Sequence, residues 1–324
     1  MVGLQYSAEP WNRAYVNAPF FSVIIPVYNR PREIKRALDS CLAQTRTDLE
    51  VIVIDDASQD ETPDVVLGYK DPRIRLLRQR LNRGECPSRM TGVGEASAPW
   101  IVFLDSDHAL LENGLRLVYE HIAHYPDQQR FGFMYEWSNG IRSPWPLPDY
   151  RTFRYTAWLQ WLNSCEISDA VYCTRTSSFS EVKMPDSRAA ALEYHLDFAL
   201  CFETQMTPIS VAMQFTDSSN RLTNNGAWAS TRLRRAHALD EMASIDRILK
   251  EHGEALRMHA PAILERICRK RIVWQCVLGQ RGPAARACRE YLRQFPILHL
   301  EQLGIALALM HPSLYTNFRS FMRT

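Results

Sequence analysis

Trp100–Asp107 reads WIVFLDSD. An unbroken apolar run of this length is the signature of a strand covered on both faces. It ends in an Asp-Ser-Asp triplet, and in open α/β sheets ligands bind beyond the carboxyl ends of the strands. Upstream, Phe20–Tyr28 (FFSVIIPVY) and Glu50–Asp55 (EVIVID) have the same character, and Arg73–Leu77 (RIRLL) reads as a strand nearer an edge. Helical patterns lie between them. Pro31 suits a first helical turn, and Ile34, Ala37, Leu38, Cys41 and Leu42 follow at helical spacing. Asp60, Thr62 and Pro63 open a helix to about Tyr69, with Asp60 read as its cap, and Ser88–Ala96 reads as another. Strand–helix alternation with apolar strands predicts an α/β domain on a mostly parallel sheet over residues 20–110, after an irregular extension at 1–19.

Farther along, residues 111–123 read as a helix, and the pattern over 131–225 is less regular. That stretch holds Trp137, Trp145, Trp158 and Trp161, aromatic faces suited to stacking on a sugar or to filling a core. Residues 188–204 have helical spacing, and the chain reads helical from about Ala229 to the end. Residues 230–324 carry 16 Lys/Arg and 8 Asp/Glu, a local balance of +8 in a chain of net charge +2. Such a basic helical extension suits either a solvated cap or a surface for anionic lipid head groups.

The 324 residues, 46% hydrophobic and 23% charged, make a globular chain. Near-neutral charge argues against a nucleic-acid partner. The longest apolar run near the end, Leu303–Met310, falls short of the ~18 residues that cross a bilayer, and the first residues lack a signal-peptide pattern. The expectation is a cytoplasmic protein, peripheral at most on the inner face of the membrane. No C-x-x-C pair or zinc spacing appears among the eight cysteines, which read as reduced apolar fillers.

The ends of three strands gather the chemistry: Pro26-Val27-Tyr28-Asn29, Asp55-Asp56 and Asp105-Ser106-Asp107. Up to four carboxylates in one crevice call for a cation, and a hard divalent ion with oxygen ligands also binds phosphate oxygens. Nucleotide motifs of other kinds fail. No phosphate-binding G-x-x-x-x-G-K-[ST] loop occurs, and Gly92-Val93-Gly94 precedes a strand instead of following one.

Taken together, Ser22–Arg30 (SVIIPVYNR), Glu50–Ser58 (EVIVIDDAS) with Asp60, Asn82-Arg83-Gly84 and WIVFLDSD resemble the nucleotide-sugar domain of family 2 glycosyltransferases. The resemblance covers about residues 20–110 and implies the GT-A fold: a Rossmann-like, mostly parallel sheet flanked by helices, here with an all-helical C-terminal extension over 229–324. Residues 111–228 would form the acceptor-binding half. It implies that Pro26, Val27 and Tyr28 line a base-binding wall and that Asp56 accepts from the base, typically uracil N3–H. Arg89 would contact the diphosphate, Asp105 would bind the ribose or sugar side, and Asp107, with Asp105, would hold Mn²⁺ or Mg²⁺. His108 stands where the family often has a third acid, and Met213–Asn220 offers no late histidine for the metal.

The reaction so implied is inverting transfer of a sugar from a nucleotide sugar, a UDP-sugar by first choice, to a hydroxyl of a glycan or lipid-linked glycan acceptor. The alternative is a nucleotide-sugar-binding scaffold without turnover. Inversion requires a base, which the resemblance places at the start of a late helix, in Glu193-Tyr194-His195-Leu196-Asp197. Helical spacing puts Glu193 and Asp197 on one face and His195 on another. Glu193 is the first choice, then Asp197, with His195 behind them.

Overall fold

The computed structural model describes residues 5–6, 18–140, 142–143, 149–164, 170–182, 191–215, 217 and 231–295. In chain order the first half gives β1 (Gln5–Tyr6), β2 (Phe21–Val27), α1 (Pro31–Leu42), β3 (Leu49–Asp55), α2 (Thr62–Leu67) and β4 (Ile74–Arg78). There follow α3 (Glu85–Glu95), β5 (Trp100–Phe103), β6 (His108–Leu110), α4 (Gly114–His124), β7 (Arg130–Trp137), β8 (Arg142–Ser143) and β9 (Arg151–Phe153). The remainder is α5 (Tyr155–Ser164), β10 (Val171–Arg175), α6 (Ala191–Cys201), β11 (Thr204–Gln214), α7 (Thr231–Glu251), α8 (Gly253–His259), α9 (Pro261–Val277) and α10 (Arg281–Gln294).

One sheet runs in the order β1-β4-β3-β2-β5-β10-β7-β11-β6, with β8 and β9 added to β7 and β11. Its first half is parallel, as the apolar runs predict: β4, β3, β2 and β5 pair in that sense. Beyond β5 the sheet is mixed, because β10 is antiparallel to both β5 and β7 while β11 runs parallel to β7. The extension at 1–19 is not wholly irregular, since Gln5–Tyr6 adds a short antiparallel edge to β4.

The apolar runs are explained by their two covers. Val23, Ile25, Val51 and Val53 face a core that includes Ile34, Ala37, Leu38 and Cys41 of α1. Ile24, Ile52 and Ile54 face the opposite way, toward Phe179 and Phe198. Gly92 belongs to this packing: a Cβ there would lie 2.4 Å from the Ile24 side chain, so the glycine brings α3 down onto β2. The C-terminal helices make a third core, where Ile245, Leu256, Ile263 and Leu264 meet Trp158, Leu159 and Leu196. Trp158 is therefore core and Trp161 packs against the same cluster, while Trp145 lies outside the described residues.

Cys41, Cys86, Cys173 and Cys276 are buried, as apolar fillers would be, whereas Cys201 is exposed and Cys268 and Cys288 are partly buried. No disulfide joins the described cysteines, and burial pushes the Cys41 thiol up to about 12. Cys165 lies outside the described residues. The positive charge of the helical extension is partly neutralised within it: Lys270 pairs with Glu241 at 2.7 Å and Arg271 with Asp246 at 2.9 Å. Among the described residues no helix is long and apolar enough to cross a membrane.

Candidate active site

The carboxyl ends of β2, β3 and β5 converge through turns that their own side chains hold. Asn29 and Ala57, directly after β2 and β3, take φ of 51° and 63°, a conformation that non-glycine residues adopt mainly where surrounding structure imposes it. The two turns grip each other. Asn29 N–H donates to Ser58 Oγ at 2.9 Å, and Gln59 N–H donates to Asn29 Oδ1 at 2.8 Å. Asp60 accepts from Thr62 N–H at 3.0 Å, the local helix-start role expected of it.

Asp56 is buried, and each of its oxygens takes one backbone N–H: Arg83 at 2.7 Å and Gly84 at 2.8 Å. The Asn82-Arg83-Gly84 turn, with Gly84 at φ 94°, is thereby fixed beside the end of β3. An ionised carboxylate offers about four acceptor positions, and these two bonds take one on each oxygen. Pro26 and Val27 sit in the buried strand leading to this point, and Tyr28, 38% exposed, follows them at the rim.

At the end of β5 the charges alternate closely. Arg89 Nη2 donates to Asp105 Oδ1 at 2.5 Å and pairs with Glu85 at 2.6 Å. Arg30 Nη1 donates to Ser106 Oγ at 3.1 Å and lies 3.5 Å from Asp107. His108 Nδ1 is 3.6 Å from Asp105 and 3.5 Å from Asp107. Burial opposes ionisation of Asp105, but the charges of Arg89, His108 and Arg30 and the Arg89 hydrogen bond hold its carboxyl below the usual range. Arg89 also pulls Glu85 down, yet burial and the like charges of Asp105 and Asp107 leave that carboxyl raised.

One donor atom from each of Asp105, Asp107 and His108 lies within 4.8 Å of the others. Two carboxylates and an imidazole suit a divalent ion such as Mn²⁺. His108, where the family often has an acid, keeps a ligand type in that place. The stretch that lacks the late histidine does reach the site, since Gln214 of β11 is in register with His108 and Phe215 N–H donates to Asp107 O at 3.2 Å.

A cleft opens beside this cluster, lined by Arg89, Asp105, His108, Tyr135, Tyr172 and His195 among others. The α6 residues divide as helical spacing predicts, with an unexpected assignment of faces. Glu193 is buried against α7: its carboxylate takes a two-pronged contact from Arg247, with Nη2 at 2.9 Å, and Ser244 Oγ at 2.8 Å. Asp197 accepts from His252 Nε2 at 2.9 Å, and His252 Nδ1 accepts from Tyr155 O–H at 2.6 Å. Both acids thus tie α6 to the helical extension, and it is His195 that lines the cleft.

Residues 22–178 match the protein-family model described as glycosyl transferase family 2. This domain belongs to that family. Among curated relatives, the succinoglycan biosynthesis protein ExoO of Rhizobium meliloti is 40% identical over 102 residues, 32% of this chain and 29% of that one. The UDP-Glc:alpha-D-GlcNAc-diphosphoundecaprenol beta-1,3-glucosyltransferase WfgD of Escherichia coli is 38% identical over 96 residues, 30% of this chain and 38% of that one. The matches thus span well under half the length of these relatives. Among solved structures, S. aureus TarS 1-349 in complex with UDP-GlcNAc superposes with a TM-score of 0.60 at 16% identity, over 94% of this chain and 91% of that one. The mannosyltransferase PcManGT from Pyrobaculum calidifontis in complex with GDP-Man and Mn²⁺ gives a TM-score of 0.52 at 18% identity, over 97% and 86%. At such identities these likenesses show the fold.

In this family 2 domain, then, Pro26, Val27, Tyr28, Asp56, Arg89, Asp105 and Asp107 gather at one end of the parallel strands. Three residues near them escaped the sequence reading as site residues. Arg30 was within sight, one position after Asn29. Glu85 carried a helix-spacing cue, four residues before Arg89. Arg130, a single charge opening an apolar strand, carried none.

Proposed function

We propose that the protein transfers a sugar from a nucleotide-sugar donor, a UDP-sugar, to a hydroxyl of a glycan or lipid-linked glycan acceptor, with inversion and with help from a divalent cation. The observation that carries this reading is the Asp105–Asp107–His108 cluster, flanked by Arg30 and Arg89, at the end of β5 in a family 2 domain. The name of WfgD gives a UDP-sugar donor and a diphosphoundecaprenol-linked acceptor for that protein, TarS is solved with UDP-GlcNAc, and we extend a UDP-sugar donor and a lipid-linked acceptor to this one. A basic extension beside the domain is consistent with work at the inner face of a membrane.

In the reaction we infer, an acceptor hydroxyl attacks the anomeric carbon as the bond to the diphosphate oxygen breaks. The electron pair leaves with the nucleoside diphosphate and the hydroxyl proton passes to a base. Asp105, Asp107 and His108 would hold the cation, which supplies electrostatic stabilisation of the leaving diphosphate. Arg30 and Arg89 are the cations beside that position, and Asp56 would accept from the uracil N3–H. Pro26, Val27 and Tyr28 would wall the base.

A binding protein without turnover is the second reading. It is favoured by one observation: Glu193 and Asp197, the expected bases, are committed to Arg247 and His252. Released nucleotide, measured with and without acceptor, separates the two.

Melting curves with UDP, GDP and their sugars, with and without Mn²⁺, test the shared premise. A ligand at 100 times its Kd stabilises the fold by about 2.7 kcal/mol. UDP is expected to raise Tm only with Mn²⁺, and Asp107→Asn should remove that rise while leaving the ligand-free Tm near that of wild type. A wild-type Tm unmoved by every nucleotide in the presence of Mn²⁺ overturns the proposal.

A further inference from the structure

Arg130 opens β7 and is fully buried, yet among the described residues no carboxylate pairs with it. Arginine does not discharge itself by losing its proton, so a buried guanidinium must be compensated where it stands. Here three aromatic rings do part of that: Tyr172 at 4.2 Å, Phe198 at 4.9 Å and Tyr194 at 5.4 Å from centroid to guanidinium carbon. Two hydrogen bonds add to this, while the buried Nε has no hydrogen-bond partner among the described residues. Nη1 donates to Thr204 Oγ1 at 3.3 Å, and Nη2 donates to His195 Nδ1 at 2.7 Å.

The second bond has a chemical consequence. A guanidinium has donors only, so Nδ1 of His195 must be the acceptor. A neutral imidazole that accepts at Nδ1 carries its proton on Nε2. Protonating the ring at Nδ1 would set two donors against each other. The groups around the ring do not reverse this. They are Tyr172 at 4.6 Å and Tyr194 at 4.9 Å between centroids, Trp158 at 6.5 Å, and Arg89, Asp105 and His108 across the cleft. Burial, Arg130 and Arg89 together push the imidazole well below its ordinary value, which agrees with the geometry.

We propose that Arg130 locks His195 as the neutral Nε2–H tautomer, and that His195 serves as a hydrogen-bond donor to an oxygen of the nucleotide sugar in the cleft. The ligand part rests on the function proposed above. His195 is then a substrate-binding residue and Arg130 a positioning residue. Neither ring nitrogen is open to take the acceptor's proton: Nδ1 is held by a permanent cation and Nε2 already bears hydrogen. The oxygen in question belongs to the diphosphate or to a sugar hydroxyl, and the binding experiment tells them apart.

The tautomer is tested on the ligand-free wild-type protein by long-range proton–nitrogen spectra of the histidine rings, with His195→Gln to assign the signals. The expected result is an Nε2–H pattern that does not move between about pH 5.5 and 8, a range in which an ordinary histidine titrates. An Nδ1–H pattern, or a midpoint near 6.5, overturns the lock. Arg130→Met should let the ring titrate, and the wild-type spectra decide the matter if that variant does not fold.

The ligand is tested by calorimetry with UDP and UDP-sugar in Mn²⁺. His195→Phe is expected to weaken binding by about tenfold, the scale of one lost hydrogen bond, while His195→Gln, which keeps an N–H, stays near wild type. Equal loss for both ligands assigns the donor to the diphosphate, and loss confined to the UDP-sugar assigns it to the sugar. Wild-type affinity in His195→Phe for both overturns the ligand assignment. If wild type binds neither nucleotide, the functional reading falls with that assignment, whereas the tautomer still stands or falls on the spectra.

Discussion

Glu193→Gln sets an anchoring role for the acids of α6 against a catalytic one. Glu193 is buried, with one oxygen on Arg247 Nε and the other shared by Arg247 Nη2 at 2.9 Å and Ser244 Oγ at 2.8 Å. Glutamine keeps the shape and one acceptor, but turns an N–H₂ toward donors and removes the charge. Breaking a buried ion pair typically costs about 3–5 kcal/mol. The Arg247 side chain is 35% exposed, so water takes up part of its lost interaction, and the figure falls to roughly 2–3 kcal/mol. At about 2.1 cal/mol/K of unfolding entropy per residue, a chain of 324 residues loses about 1.5 °C per kcal/mol, so Tm should drop by roughly 3–4 °C. Donor affinity should fall by less than the tenfold expected of His195→Phe, because the bond lost joins α6 to α7, touches none of Asp56, Asp105 or Asp107, and reaches the donor only through the placing of His195. Arg247→Met should also destabilise, and the double variant should lose less than the sum of the two, since the partners couple directly. Thermal melts, UDP calorimetry and turnover are measured on all four proteins. A Glu193→Gln variant that melts with wild type and loses about a hundredfold or more in kcat refutes the anchoring argument and makes Glu193 the base.

Asp56→Ala should weaken UDP binding by about 1–3 kcal/mol, the scale of a lost charge-assisted hydrogen bond, and equal binding of UDP and GDP by wild type would count against a uracil-reading role. Stability should fall as pH drops below about 6.5. Burial pushes both His121 and His195 below that ordinary value, so the unfolded chain takes up protons first. The stabilisation is complete above the unfolded value and shrinks as pH falls toward the folded ones, by up to about 1.4 kcal/mol per pH unit for each histidine. Denaturant melts between about pH 5 and 7.5 should show this slope and His121→Gln should reduce it, whereas a flat wild-type profile contradicts the burial argument.

The parallel half of the fold was legible because its signals are local. Strands buried on both faces make unbroken apolar runs, and the residues that end them, Asn29, Asp56 and Asp105, fall where side chains must leave the sheet. Beyond Leu110 the helical stretches were still legible, as α4, α6 and α7 to α10 show, but the strands gave no such signal, for a physical reason. β10 enters the sheet between β5 and β7, out of chain order, so its pairing is entirely non-local. β11 carries Pro208 and shifts register near Ser210, which breaks the alternation a reader would follow. Arg130 at the head of β7 resembles a surface charge in sequence. Only the fold shows that it is buried under Tyr172 and Phe198.

α6 shows the same limit at the scale of one helix. Periodicity placed Glu193 and Asp197 together and His195 apart, and the structure agrees. Which face meets the cleft is decided by what packs on each side. α7 and α8 approach the acidic face with Ser244, Arg247 and His252, and those donors fix the carboxylates in place. The opposite face is left to β7 and β10, whose Arg130 and Tyr172 hold His195 at the cleft wall. Through Ser244, Arg247 and His252 the helical extension therefore bears on the cleft, although none of these three residues lines it. By anchoring two acids it sets the rotation of α6, and with it the position of the imidazole. Weakening the Glu193–Arg247 contact should for this reason disturb the His195 ring spectrum, although neither partner touches the ring.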